Sequence, residues 1–295
     1  MIVSASFFTQ LLISGVAIGA IYGLVALGFV TIYRTSGVVN FAQGDFVMLG
    51  AMMSFFLWKS WGIAYPIACG LTVLAVCILS LLIYHLVIAP LRGATPIMII
   101  MATLGVSIVV EMFALLAWTS YPIYGPTFSS DKPLKLGGVV VQTQELWVYL
   151  LAAVVILGLF WLNTRTRLGK SMTATATDRL GANLVGVRTG SMIRWAFVIS
   201  AAIGALGGVF LSPLLPMAFN IGLVLSLKGF VGAVLGGWGK PSGAFVGGLV
   251  IGVLETFAGG VFQAGYRDAV AFVILLLVLY FRPQGLLGSQ LVEAE

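Results

Sequence analysis

Six apolar stretches, near residues 8–32, 63–89, 95–118, 146–163, 192–214 and 243–263, are each long enough to cross about 30 Å of hydrocarbon. A chain built this way must either hide these stretches in one core or place them in lipid. Composition rules out the first option. Of the 295 residues, 60% are hydrophobic and 8% charged, against about 25% charged in soluble domains. That leaves too little polar surface to cover a core. The expected fold is an all-α polytopic membrane protein, one domain over residues 1–295.

Three further segments are weaker candidates. Segment 40–58 opens with Asn40, Gln43 and Asp45, segment 221–238 contains Lys228 and many glycines, and segment 268–281 is short. Counting all nine as crossings puts the N-terminus outside and the C-terminus inside. Cations concentrate on the inner side of membrane proteins, which tests that assignment. The inner loops then hold ten: Arg34, Arg92, Arg165, Arg167, Lys170, Arg179, Arg188, Arg194, Lys240 and Arg282. The outer loops hold four: Lys59, Lys132, Lys135 and Arg267. The distribution favours this orientation over its inverse, with eight crossings plus a re-entrant segment as the variant. The net charge of +6 is no nucleic-acid footprint, because the cations sit in short loops between apolar spans. The first Lys or Arg is Arg34. A secretory signal needs a basic start, so the first apolar run is read as a retained span.

Residues 164–194, TRTRLGKSMTATATDRLGANLVGVRTGSMIR, form a polar island carrying Arg165, Arg167, Lys170, Arg179, Arg188 and Arg194 with one acid, Asp178. An island this basic belongs in water on the inner face. Within it, Asp178 can cap a short helix over about 179–185. Leu180, Leu184 and Val185 would give that helix an apolar side, and Gly186 can end it. Such a helix suits either a groove in a soluble partner or the headgroup layer. On the outer side, loop 119–145 carries Pro122, Pro126 and Pro133, and its Gly137-Gly138 suggests a small hairpin. That loop is read as a solvated cap over helix ends, or as a contact for an outside partner.

Small residues recur at helical spacing: Gly15, Gly19 and Gly23; Gly204 and Gly208; Gly248 and Gly252. This pattern lets helix backbones approach closely in lipid. Cys69 and Cys77 lie about 12 Å apart along one helix, too far to bond. His85 has no cluster of metal-ligating residues around it and is read as a helix-end cation or donor.

Ionisable residues within spans are costly and usually face the protein interior. Asp45, Glu111, Lys228 and Glu255 are the candidates here. Lys228 needs an acidic partner, and one of the other three should supply it. A structural ion pair between helices is the preferred reading; a polar lock in a solute path, or at an interface with another membrane subunit, is the other. Asn40, Gln43 and Asp45 cluster where the chain re-enters the membrane. They read either as a broken helix lining a path or as an interfacial helix start capped by Asn40.

Covalent chemistry finds no support. Gly169-Lys170-Ser171 resembles the tail of a phosphate loop, but that motif needs Gly five residues earlier, and position 164 is Thr. Gly239-Lys240-Pro241 fails likewise, with Val at 234. The chain is expected to bind no nucleotide, no metal and no cofactor, so any ATP-driven work falls to another subunit.

Three regions resemble the membrane permeases of bacterial ABC importers for branched-chain amino acids, specifically the smaller of the two permeases. They are GAIYGLVALGFVTIYRTSGVVNFAQGDFVMLGA at 19–51, ATDRLGANLVGV at 176–187, and GFVGAVLGGWGKPSGAFVGGLVIGVLE with the terminal FRPQGLLG. The resemblance implies a second permease subunit, two cytosolic ATPases that use the ATP, and a periplasmic solute-binding protein, all at the inner membrane. It makes 164–191 the cytoplasmic coupling loop, with Asp178, Arg179, Leu180, Ala182 and Gly186 as coupling residues, and 119–145 a periplasmic loop. Asn40, Gln43, Asp45, Glu111, Lys228 and Glu255 are the candidates for a translocation path or polar lock. Family members often carry more Arg and an acid just before the loop aspartate; Thr173, Thr175 and Thr177 stand there instead, which alters the loop's electrostatics. Relatives also move urea, short amides and aromatic acids. The expectation is an alternating-access importer of a hydrophobic amino acid; the rivals are an ion-gradient-driven carrier and a channel-like membrane subunit.

Overall fold

A computed structural model describes residues 5–91, 93–129, 133–136, 139–261, 267–282 and 284–287. Arg92, Lys132, Gly137, Gly138, Pro283 and Gly288 lie outside the described residues. The helices are α1 (Ala5–Ser36), α2 (Gln43–Trp61), α3 (Tyr65–Ile83), α4 (Pro96–Ala117), α5 (Thr143–Arg165), α6 (Arg167–Thr177), α7 (Arg179–Leu184), α8 (Thr189–Leu211), α9 (Ile221–Gly236), α10 (Pro241–Val261) and α11 (Arg267–Phe281). A π-helical turn, Tyr84–Ile88, extends α3. Among the described residues, six helices are long and apolar enough to span a membrane: α1, α3 with its extension, α4, α5, α8 and α10. They coincide with the six strong apolar runs. The three weaker segments are helical too, as α2, α9 and α11. The fold is all-α and polytopic, with one two-stranded hairpin outside the helices.

The centre is α1. From Ala20 to Val30 every residue is buried, and its neighbours are α10, α8, α9 and α5. Glycine makes this packing possible. A Cβ on Gly252 would lie 2.2 Å from the Gly19 α-carbon, and one on Gly248 would lie 2.4 Å from that of Gly23. The α1 and α10 backbones therefore touch directly, without intervening side chains. On the other side α8 meets α2 the same way: a Cβ on Gly208 would fall 1.8 Å from the Val47 carbonyl oxygen.

The periphery is apolar and outward-facing. On α3, Ile67, Leu74 and Ile78 are exposed; on α5, Val154, Leu157 and Phe160 are exposed. Such surfaces suit lipid and would be costly in water. By contrast α2 is buried along most of its length. Its segment looked weak as a span for that reason: a helix shielded by other helices can carry polar residues that lipid would not accept.

Both ends are stitched. At one end, strand β1 (Leu134–Leu136) pairs antiparallel with β2 (Val139–Val141), where the glycine pair suggested a hairpin. Val140 N–H donates to Gln10 on α1 at 2.9 Å, and Ile123 exchanges two 2.9 Å backbone bonds with Met217. At the other end, Leu286 and Leu287 donate their N–H groups to the Leu235 and Gly236 carbonyls at 2.7 and 3.1 Å. Carbonyls of a last helical turn have no intrahelical donor, so the QGLL segment completes α9.

Candidate functional site

The chain leaves α1 at Ser36 and starts α2 at Gln43. Gln43 does not sit level with the end of α1. Its side chain packs on Gly28, eight residues back, about 12 Å along the helix. The intervening residues climb back into the protein, and α2 starts inside it. Asn40, Gln43 and Asp45 are all fully buried. Asn40 Oδ1 accepts from Ala42 N–H at 3.2 Å, a turn-forming bond just ahead of the helix. Gln43 Nε2 donates to the Ser200 carbonyl at 3.2 Å. The Ser200 hydroxyl is shared between the Gly28 carbonyl at 2.9 Å and Gln43 Oε1 at 2.5 Å. Thr103 Oγ1 on α4 accepts from Phe41 N–H at 3.2 Å. On α9, Ser226 Oγ accepts from Gly44 N–H at 2.7 Å and donates to the Phe41 carbonyl. The break between α1 and α2 is thus held by polar groups from α4, α8 and α9. The N-cap of α2 is Ala42, with no side-chain cap bond, so Asn40 orders the turn ahead of the helix and does not cap it.

Asp45 differs from its neighbours. Among the described residues the Ser107 hydroxyl is the one side-chain donor that addresses its carboxylate, without forming a well-made hydrogen bond. Oδ1 lies against Gly222, where a Cβ would approach to 1.8 Å. Gly222 is the second residue of α9, so Asp45 faces the positive end of that helix. Its polar neighbours on α4 are Ser107 and Glu111. Glu111 Oε1 accepts from Leu223 N–H at 3.1 Å, also in the first turn of α9. The Ser107 hydroxyl is buried beside the Asp45 carboxylate. Thr103, Ser107 and Glu111 recur every fourth residue on α4, on the face it turns inward. An otherwise lipid-facing helix thereby lines the interior with polar groups.

Lys228 and Glu255 form a separate cluster. Lys228 Nζ lies 2.7 Å from Glu255 Oε1, both nearly buried, bridging α9 and α10. Tyr22 of α1 completes it. Its hydroxyl donates to Glu255 at 3.3 Å and lies 3.3 Å from Lys228 Nζ, which also stands 5.4 Å from the Tyr22 ring centre. Of the three acids open to Lys228, Glu255 is the one it pairs with. A pair taken out of water must satisfy itself, and this one ties together α1, α9 and α10.

The basic island is more ordered than a loop. Its first half is helix α6, which no strong local signal announces. Thr173, Thr175 and Thr177 are weak helix formers, but here Thr175 and Thr177 donate their hydroxyls to the Ser171 and Thr173 carbonyls one turn back. Asp178 then caps α7, accepting from Leu180 N–H at 2.9 Å. The helix ends in a two-bond terminus: Val187 N–H to the Ala182 carbonyl at 2.9 Å and Gly186 N–H to Asn183 at 3.0 Å. Gly186 adopts φ +85° there, which suits glycine. Leu180, Leu184 and Val185 are 77%, 88% and 78% exposed. Ala182 is buried and faces the protein. Arg179 turns back: its guanidinium donates to the Thr35 and Ser36 carbonyls at the end of α1. A cation at a helix C-terminus is well placed against the dipole.

Of the six path candidates, Asp45 and Glu111 meet at the first turn of α9, Lys228 pairs with Glu255 beside α1, and Asn40 and Gln43 hold the turn between α1 and α2 against α8. Sequence reasoning missed Tyr22, Ser107, Ser200 and Ser226. The four-residue spacing of Thr103, Ser107 and Glu111 was a usable signal for one of them.

Residues 11–279 match the profile of the family described as branched-chain amino acid transport system / permease component. The chain is similar to the high-affinity branched-chain amino acid transport system permease protein BraD of Pseudomonas aeruginosa, 32% identical, with 97% of each chain covered. It is also similar to the corresponding protein LivH of Escherichia coli K12, 28% identical, again with 97% of each covered. A probable branched-chain amino acid permease LivH of Methanocaldococcus jannaschii is 25% identical over 90% of this chain and 88% of that one. Among solved structures, PsaBC from Streptococcus pneumoniae in complex with Fab aligns with a TM-score of 0.52 at 13% identity, covering 96% of this chain and 94% of that chain; this likeness concerns the fold alone.

Proposed function

Because the chain belongs to the branched-chain amino acid transport system permease family, we propose that it moves a hydrophobic, branched-chain amino acid through the membrane by alternating access. It is the transmembrane permease subunit of an importer, working with other subunits and catalysing no covalent chemistry. In this reading it pairs with a second permease in a bacterial inner membrane. Two cytosolic ATPases bind beneath and use the ATP, and a periplasmic binding protein delivers the solute. The chain itself binds no nucleotide. The N-terminus is outside and the C-terminus inside, so residues 164–191 are cytoplasmic and 119–145 periplasmic.

The observation that carries the reading is α7. It is capped at both ends, shows three large apolar side chains outward, and is fastened through Arg179 to the end of the most buried helix. A partner gripping Leu180, Leu184 and Val185 would pull on α1 through Arg179. Through the glycine seam and the Tyr22–Lys228–Glu255 cluster, α10 and α9 would move with it. Transitions of this kind shift rigid packed elements by small steps. The test is co-purification with the ATPases. Leu180→Asp with Leu184→Asp should abolish the association while leaving the protein folded in the membrane. Full association in that variant would refute α7 as the grip. An ion-gradient-driven carrier or a channel-like subunit would need no such helix.

A further inference from the structure

One turn along α2 from Asp45, and level with Val110 on α4, a cavity of about 790 Å³ opens between α2, α3 and α4. Leu49, Met53, Val76, Val110, Phe113 and Trp118 are among its walls, almost all of them apolar. Its size lies within the roughly 300–1,000 Å³ of small-molecule sites. About one helical turn from the wall residues Leu49 and Val110, and not in the wall itself, Asp45 and Ser107 are buried with hydrogen-bonding capacity left over, and Glu111 stands beside them with one oxygen committed to α9. A buried carboxylate without a donor is costly unless something satisfies it. The first turn of α9 offsets only about half a charge, against two carboxylates. The cluster therefore lacks positive charge, and the Ser107 hydroxyl is its one side-chain donor for two carboxylates.

We propose that Asp45, Ser107 and Glu111 form a subsite for the ammonium group of the transported solute, whose aliphatic side chain lies in the adjoining cavity lined by Leu49, Val110 and Phe113. An alkylammonium supplies what the cluster lacks: one positive charge and three N–H donors. The pairing also orders the solute. Its charged head meets the polar stripe of α4, and its apolar tail points into the apolar space. Lys228 cannot supply the charge, because it is paired with Glu255. This inference rests on the importer reading and adds the residues that receive the solute.

The test uses the complete importer with its binding protein in proteoliposomes, following ATP-driven leucine uptake. The probe is 3-methylbutylammonium, which keeps the ammonium and the branched tail but has no carboxylate; 3-methylbutanol is its neutral counterpart, and sodium at equal concentration the inorganic control. The amine is expected to inhibit uptake, the alcohol and sodium are not, and Asp45→Asn is expected to weaken inhibition at least tenfold while Asp45→Glu restores it. Ser107→Ala should weaken it several-fold, and serves if Asp45→Asn fails to assemble. Val110→Trp, which fills the cavity, should do the same with Asp45 intact. Inhibition unchanged in Asp45→Asn, or unchanged in Ser107→Ala, overturns the subsite, as does equal inhibition by sodium or by the alcohol. Wild-type importer that hydrolyses ATP but moves no leucine would instead refute the substrate reading.

Discussion

Replacing Lys228 with Met removes the cation and leaves Glu255 buried with only the Tyr22 hydroxyl as donor. The pair is nearly closed to solvent, with side chains 9% and 8% exposed, so water cannot restore what is lost. Removing one member of a buried pair typically costs about 3–5 kcal/mol. For a chain of this length roughly 2 °C accompanies each kcal/mol, which gives a fall in thermal midpoint of about 6–10 °C for the purified importer in detergent. The companion variant Lys228→Met with Glu255→Leu removes both charges together. Replacing a whole buried pair by apolar side chains is often neutral or stabilising, so most of the lost stability should return. ATP-driven uptake, measured beside stability, separates the two roles of the pair. If it only ties α1, α9 and α10 together, the double variant regains uptake with stability; a lock in the path would regain stability alone. A Lys228→Met midpoint within 2 °C of wild type, a margin of about 1 kcal/mol, would show that the pair is not buried, because a buried charge left without its partner costs more than that.

Other perturbations follow from the same geometry. Gly252→Ala puts a Cβ 2.2 Å from the Gly19 α-carbon, where carbons need about 3.5–4.0 Å; it should cost about 1–3 kcal/mol as overpacking and slow transport. Gly158→Ala on α5 meets nothing within 4 Å and should leave thermal stability and uptake unchanged or slightly improved. Arg179→Ala should preserve ATPase association while uncoupling hydrolysis from uptake, seen as a lower ratio of solute moved to ATP spent; an unchanged ratio would remove Arg179 from the transmission route. Asp178→Ala deletes the α7 cap, worth about 1 kcal/mol to a helix, and should weaken ATPase association several-fold, with Asp178→Ser restoring most of it.

Much of the helical frame was legible because lipid demands long apolar runs. The six strong stretches became six long apolar helices, since nothing polar interrupts a surface that faces hydrocarbon. The α2 and α9 segments were harder for the opposite reason. Both lie inside the protein, where Asp45 and Lys228 can be met by other helices and glycines let those helices come close. Helix α6 went unread because three threonines disfavour a helix locally, and only the back-bonded hydroxyls and the packing of Met172 and Thr175 offset that. At α7 the local code was sufficient: an aspartate, an apolar spacing and a glycine give a cap, a face and an end. Pairing across the bundle was not legible. Glu255 is 27 residues from Lys228, and nothing local ranks it above Asp45 or Glu111. Tyr22 gave no signal, because a tyrosine in an apolar helix reads as packing until its hydroxyl is seen beside a charge.

We propose that ATP drives this membrane subunit through a partner's grip on α7. The most direct test is leucine uptake by proteoliposomes containing the complete importer, with ATP on the ATPase side and no ion gradient. The account predicts uptake that starts with ATP, stops with a non-hydrolysable analogue, and is absent when Leu180 and Leu184 are both aspartate. Uptake that proceeds without ATP and follows an imposed ion gradient would contradict it.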